Sequence, residues 1–381
     1  MHESPFVFGR LAGMEEFTDR AAETAHLSMN FRSLTNTCLV APRRWGKSSL
    51  VAFAAKQAMK KDKKLRFCMI DLFSVRNEDE FYKLLAETVL KAASRKTDDL
   101  MRFVSRFLKQ LVPRLSLSAD NSEISVSMNW TEVGKNPGEL LDLAEKIAAD
   151  QKIKIVICID EFQNIGMFEN PLAFQKKLRA SWQRHKHVAY CIYGSKRNML
   201  LEVFASPHLP FYKFGDLMFL NKIAAKEWQA FITRRFRETG KTINAENALY
   251  IARLCENHPF YVQQVAQLSW LRSGKECKKL EIDAAFTSLL DQLGLLFQAL
   301  TDELSNTQVN FLGAMVNGEE KLSSQQILAK YRIGTSANVL RIKDALLEKE
   351  ILDFHEGEFQ LLDPLYKEWL RKVYFRNKQW G

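Results

Sequence analysis

The amino-acid sequence predicts an α/β fold: a parallel sheet sandwiched by helices, then a small helical subdomain, then a third part made of helices and one short hairpin. Three observations carry this. Short apolar runs alternate with segments of helical period through the first 220 residues, which is the rhythm of βαβ units. Such runs end at residue 221, and four helix-period segments follow. Residues 297–381 then hold three more helical segments and an alternating pair that turns at a glycine.

The elements follow in order. Thr37-Cys38-Leu39-Val40 is the first strand, and a helix is expected over 47–61. A strand over 65–72 precedes a helix over 78–94, where Phe81, Leu84, Leu85, Val89 and Leu90 share one side. Residues 98–137 are read as an insertion: a helix over 98–111, then an alternating stretch over 116–130 (Leu117, Ile124, Val126, Met128) that predicts a hairpin. A helix over 140–150 leads into 153–159, which is nearly all apolar, as a central strand buried on both faces should be. Strands over 188–193 and 217–220 complete the sheet.

Helices over 225–239, 245–256, 259–273 and 283–299 form the helical subdomain. Helices over 307–316, 324–331 and 336–349 then precede strands 351–354 and 358–361, joined at Glu356-Gly357. Three helices followed by a β-wing is the winged-helix pattern, and a helix over 364–375 ends the chain. The expected domains are 1–220, 221–296 and 297–381.

Composition narrows the class. The 381 residues are 46% hydrophobic and 26% charged, enough for real cores in an ordinary globular protein. No apolar run approaches the ~18–20 residues that span a bilayer. Met1-His2-Glu3-Ser4-Pro5 lacks the basic and apolar regions of a signal peptide. A cytoplasmic protein without a membrane partner is expected. Six cysteines, at 38, 68, 158, 191, 255 and 277, form no Cys-x-x-Cys pair, which argues against zinc. The net charge of +10 is uneven. Residues 43–66 carry nine Lys/Arg and one acid, and 171–197 carry seven and none, while 297–381 carry eleven against twelve acids. Phosphate binding and solvated helix faces account for such a distribution, as does nucleic acid.

The chemistry lies in three strand ends. Ala41-Pro42-Arg43-Arg44-Trp45-Gly46-Lys47-Ser48 fits the G-x-x-x-x-G-K-[ST] phosphate loop except at Ala41. It stands between a strand and an amphipathic helix, where backbone N–H groups and the helix N-terminus cradle phosphates. Lys47 would reach the β- and γ-phosphates, and the Ser48 hydroxyl would ligate Mg²⁺. Ile155-Val156-Ile157-Cys158-Ile159-Asp160-Glu161 ends an apolar strand in two carboxylates. Asp160 suits the metal and its water shell, and Glu161 suits the general base, or is simply an exposed strand-end acid. At the next strand end, Ser195 is the first choice for sensing the γ-phosphate, with Arg197 or Lys196 as a cation on developing charge. Capping the following helix is the competing role.

With these motifs in place the chain resembles the archaeal-type and bacterial ATPases of the signal-transduction (STAND) branch of the AAA+ superfamily. Ser4-Pro5-Phe6-Val7-Phe8-Gly9 resembles that group's leading segment. Residues 17–23 resemble its h-h-G-R-E-x-E motif, keeping Arg20 and Glu23 but with Asp19 and Ala21 in place of Gly and Glu. Residues 42–49, including Ser49, and Asp160-Glu161-Phe162-Gln163 are close to the family form. Asn257-His258-Pro259-Phe260-Tyr261 resembles the G-x-P segment packed on the base, although Pro259 also suits the first position of a helix. The resemblance implies an AAA+-like P-loop core, a helical lid and a C-terminal winged helix. The loop and strand-end motifs themselves point to Mg-ATP as ligand, and slow ATP hydrolysis is expected because a switch needs residence in each state. No arginine finger stands out among Arg179, Arg184, Arg234 and Arg235.

What the ATP cycle serves stays open between two readings. One is a switch whose winged helix binds DNA through Arg341 and Lys343 on 336–349. The other is a protein-interaction switch whose winged helix docks or autoinhibits, as the near-neutral charge of 297–381 suits. The chain is expected as a monomer or an ATP-dependent homo-oligomer. A small-molecule kinase fits the paired acids and the winged helix poorly.

Overall fold

The computed structural model describes residues 4–9, 20–94, 103, 106–107, 115–120, 123–128, 137–195, 200, 203–204, 206–355, 357–378 and 380. The chain divides into two compact units, Arg20–Asn221 on one hand and Lys222–Gly381 with the N-terminal segment on the other.

The first unit runs α1 (Ala21–Ser33), β1 (Thr37–Val40), α2 (Lys47–Lys61), β2 (Leu65–Asp71), α3 (Glu78–Ala93), β3 (Leu115–Asp120), β4 (Glu123–Met128), α4 (Pro137–Leu141), α5 (Leu143–Gln151), β5 (Lys154–Asp160), α6 (Pro171–Trp182), β6 (Val188–Gly194) and β7 (Asp216–Phe219). Five strands form one sheet in the order β2-β5-β6-β1-β7, and every pairing is parallel. Alternation along the strands assigns the faces. Ile155, Ile157, Ile159, Tyr190 and Ile192 share a core with Phe81, Leu85, Ile147, Phe174 and Trp182 of α3, α5 and α6. On the opposite face, Phe67 meets Phe31 of α1 at 5.1 Å between ring centroids. Helices thus cover both faces, as the apolar runs require. The hairpin expected over 116–130 is the antiparallel pair β3–β4. The helix expected over 98–111 lies largely outside the described residues.

The second unit runs α7 (Ala225–Glu238), β8 (Thr242–Ile243), α8 (Ala245–Leu254), α9 (Pro259–Arg272), β9 (Glu276–Cys277), α10 (Lys279–Asp302), α11 (Asn306–Val316), α12 (Gln325–Lys330), α13 (Ser336–Glu348), β10 (Leu352–His355), β11 (Glu358–Leu361) and α14 (Pro364–Trp369). The wing is the antiparallel pair β10–β11. One continuous apolar cluster runs from Phe231 and Ile251 through Phe286 and Phe297 to Leu346 and Trp369, joining the lid helices to the winged helix. The segment 4–9 packs here. The Phe6 ring lies 5.7 Å from that of Phe236, and Val7 N donates to Gln263 Oε1 at 3.1 Å.

Several expectations are corrected. Strands do not stop at residue 221: β8 and β9 form a two-residue parallel pair inside the lid, too short for alternation to reveal. The helix read over 140–150 is interrupted at Asp142, whose carboxylate is drawn to Ser181 and His185. The helix read over 283–299 starts earlier, at a box in which the Lys278 N–H donates to Glu281 at 2.9 Å. The last helix passes into a π turn, Leu370–Tyr374. No described helix is long and apolar enough to cross a membrane. All six cysteines are buried and unbridged, and burial pushes the Cys68 thiol up to about 12.

Candidate nucleotide site

The sheet order creates the site. β1 lies between β6 and β7, with Val40 level with Gly194, and β5 joins β6 on its far side. The carboxyl ends of β1, β5 and β6 therefore stand side by side, where open α/β sheets bind ligands.

The loop from Ala41 to Gly46 turns β1 into α2. Positive φ falls at Arg44 (63°) and Gly46 (84°) but not at Ala41, so the first position of the motif needs no glycine here. Ala41, Pro42 and Trp45 are buried and anchor the loop, while Arg43 and Arg44 are exposed. Helix α2 begins without a side-chain cap and without an acid in its first turn, leaving its positive end suited to an anion. Lys47 is buried, and its ammonium donates to the Ala41 and Pro42 carbonyls at 2.9 and 2.8 Å.

Across the sheet, Ser48 Oγ donates to Asp160 Oδ2 at 2.7 Å. Asp160 Oδ1 accepts from the Glu161 N–H at 2.9 Å. Burial pushes the Asp160 carboxyl above its ordinary range, and the Glu161 charge adds to this, against the Ser48 hydrogen bond. Glu161 sits at φ 51°, left-handed backbone that costs about 1–3 kcal/mol and clusters at functional sites. Its Oε2 accepts from the Ser195 hydroxyl at 3.0 Å, from the Ser195 N–H at 3.4 Å and from the Gln163 amide. Arg43 Nε donates to Ser195 Oγ at 3.3 Å.

Six of the expected residues, Arg43, Lys47, Ser48, Asp160, Glu161 and Ser195, thus meet at one strand-end cluster. Arg197 and Lys196 lie outside the described residues. Arg20 is buried, at φ 74°, and pairs with Glu23 at 2.9 Å rather than with the loop. Pro259 belongs to the other unit and opens α9 at its first turn. Asn257 adopts φ 60°, which explains why the resembled pattern places Gly there. Each arginine considered as a finger has a partner in the chain. Arg179 lies over the Phe214 ring, Arg184 pairs with Asp142, Arg234 pairs with Glu238, and Arg235 bonds Pro5 O and Glu238. Sequence reasoning missed the part played by Gln163.

The groups present fit Mg-ATP. Ser48 and Asp160 are hard oxygen donors, which suit Mg²⁺ bound by one or two side chains, water and substrate phosphate. No cluster of three or more acids, His or Cys that could cage a metal occurs among the described residues.

Comparison with known proteins agrees with this architecture. The chain is similar over 96% of its length, and 99% of the other, to the Walker-type ATPase of Pyrococcus abyssi, at TM-score 0.66 and 17% identity. It has a Walker-type ATPase fold. The ORC2 protein of Aeropyrum pernix, in its ADPNP–ADP complexes, matches at TM-score 0.58 and 11% identity, covering 95% of this chain and 93% of that one. The ORC1 protein of Aeropyrum pernix in complex with DNA matches at TM-score 0.50 and 11% identity, covering 94% of each. Residues 295–372 match the family model described as "Probable winged helix domain". No curated protein matches by sequence.

Proposed function

We propose that this chain is an ATP-driven switch that binds ATP with magnesium and hydrolyses it slowly. The observation that carries the reading is the 2.7 Å contact of Ser48 with Asp160 beside the buried Lys47. Lys47 exchanges its loop carbonyls for the β- and γ-phosphates, and Ser48 and Asp160 hold the metal. A bound magnesium ion supplies charge stabilisation to the phosphates. Glu161 takes the proton of the attacking water, and Ser195, already joined to it, faces the γ-phosphate. The STAND assignment rests on residues 4–9, Arg20, Glu23, 42–49, 160–163 and 257–261. Phosphate release from Mg-ATP by the parent and by Glu161→Gln tests the reading. Turnover in the parent that drops about 10²–10⁴-fold in the variant supports it, and equal rates in the two overturn the role of Glu161.

Coupling to DNA is supported by the likeness to ORC1 in complex with DNA. A protein-docking winged helix is the second reading, and the surface of α13 favours it. Leu340 is 65% exposed on that helix, and exposed Asp344 and Glu348 offset the exposed Arg341 there. The Lys343 ammonium lies 4.2 Å over the Phe359 ring of the wing rather than standing clear. Affinity for duplex DNA that falls steeply with salt separates the two, because phosphate contacts release counterions.

A further inference from the structure

We propose that Gln163 is a positioning residue that fixes the Glu161 carboxylate for taking the proton of the attacking water, and that Gly194 is glycine to make room for it. The proposal rests on the ATPase reading above. Gln163 follows the strand end in the short 3₁₀ turn Phe162–Met167 and is 2% exposed. Its amide nitrogen donates to Glu161 Oε2, while its own Oε1 is buried with no hydrogen-bond partner. Buried carboxamides normally satisfy both ends. This one leaves its carbonyl unpaired, so its orientation is set by the carboxylate. Turning the amide over would face its oxygen to the Glu161 oxygen.

The unpaired carbonyl packs on the neighbouring strand end. A methyl group on Gly194 would overlap Gln163 Oε1, and Gln163 Cδ lies 3.1 Å from where that methyl would sit. Gly194 lies outside the left-handed region, so backbone freedom does not explain the glycine; the close approach of the carboxamide does, with Leu200 Cδ1 also 3.2 Å from where the methyl would sit. Gln163 and Ser195 both bind the same carboxylate oxygen, Oε2. Holding one oxygen by several donors orients the carboxylate and leaves Oε1 to accept the proton of a water. Ser195 stands where the phosphate is expected, so Gln163 is the donor that can stay on Glu161 when Ser195 turns to ligand.

The test uses the full chain with Mg-ATP. Steady-state turnover, nucleotide binding and thermal stability are measured for the parent, Gln163→Leu, Gly194→Ala, their double variant, Glu161→Gln, and Glu161→Gln with Gln163→Leu. Gln163→Leu is expected to lower kcat about tenfold or more with KM within roughly twofold, the split that marks an interaction made in the transition state. Gly194→Ala should act alike, and the double variant should fall no further than the worse single one, because both remove one contact. With Glu161 already replaced, Gln163→Leu should have no further effect in single-turnover assays.

A kcat for Gln163→Leu within twofold of the parent would overturn the proposal, as would the same fold-loss in both backgrounds. A parent that binds Mg-ATP without turnover overturns the hydrolysis reading and this proposal with it. Parent turnover that is indifferent to Gln163 overturns this proposal alone.

Discussion

Ser48 Oγ and Asp160 Oδ2 lie 2.7 Å apart although 112 residues separate them in the chain. Parallel strands β1 and β5, both paired to β6, bring the two together at one end of the sheet. On the proposed reading the loop serine and the strand-end acid act as one device, and its consequences can be measured.

Asp160→Asn should separate stability from function. Burial holds the Asp160 carboxyl above its ordinary range. Its charged form therefore opposes folding, and stability at this group grows as pH falls. The asparagine variant should unfold at an equal or higher temperature than the parent without ligand, yet lose the extra stability that Mg-ATP confers. Thermal melts with and without Mg-ATP check both halves.

Lys47→Ala should abolish binding of Mg-ATP while the fold survives. The two carbonyls that lose the ammonium, Ala41 O and Pro42 O, cost about 1–3 kcal/mol if they stay buried and unpaired. Titration calorimetry reads the binding, and a denaturant melt reads the cost.

Glu161→Gln should bind Mg-ATP as the parent does and lose about 10²–10⁴ in turnover, the usual worth of a general base. Equilibrium binding together with phosphate release checks this.

Acid should unfold the first unit through two carboxylates at the far end of its sheet from the site. Burial tends to raise Asp142 and Glu145. Hydrogen bonds outweigh it, from Ser181 and His185 to Asp142 and from His187 to Glu145, and hold both below their ordinary range. Their stabilisation is full above the unfolded carboxylate pKa of about 4 and is lost as pH falls through the lower folded values. Asp142→Asn should flatten the acid limb of a stability–pH curve, as measured by urea melts across that range.

Asp363 caps α14, accepting from the Leu365 and Tyr366 N–H groups at 2.9 and 3.0 Å, and it also accepts from Tyr261 of the lid. Asp363→Ala should cost about 1–2 kcal/mol, the upper range for a helix cap. Tyr261→Phe, which keeps the ring, should cost less. Denaturant melts rank the two.

Much of this was legible before the fold was known. Ile155–Ile159 announces a strand buried on both faces because parallel strands in a covered sheet present apolar residues on either side. The loop motif and the paired acids each end such a strand, which put Lys47, Ser48, Asp160 and Glu161 on the correct edge. Helix α1 was not legible: only Leu27 and Phe31 give its buried face large apolar side chains, and the stripe is too sparse to show a period. The β8–β9 pair escaped because two residues carry no alternation. The carboxamide of Gln163 escaped for a different reason. Its partners are a carboxylate two residues away and a glycine on another strand, a relation that only packing creates.

The most direct test of the central claim is titration calorimetry of the full chain with ATP, with and without magnesium, repeated on Lys47→Ala and Ser48→Ala. The expected result is one site per chain whose affinity is strengthened by magnesium in the parent, a site lost in Lys47→Ala, and one that has lost its magnesium dependence in Ser48→Ala. A parent that releases no heat with Mg-ATP, or binding that survives Lys47→Ala unchanged, would contradict it.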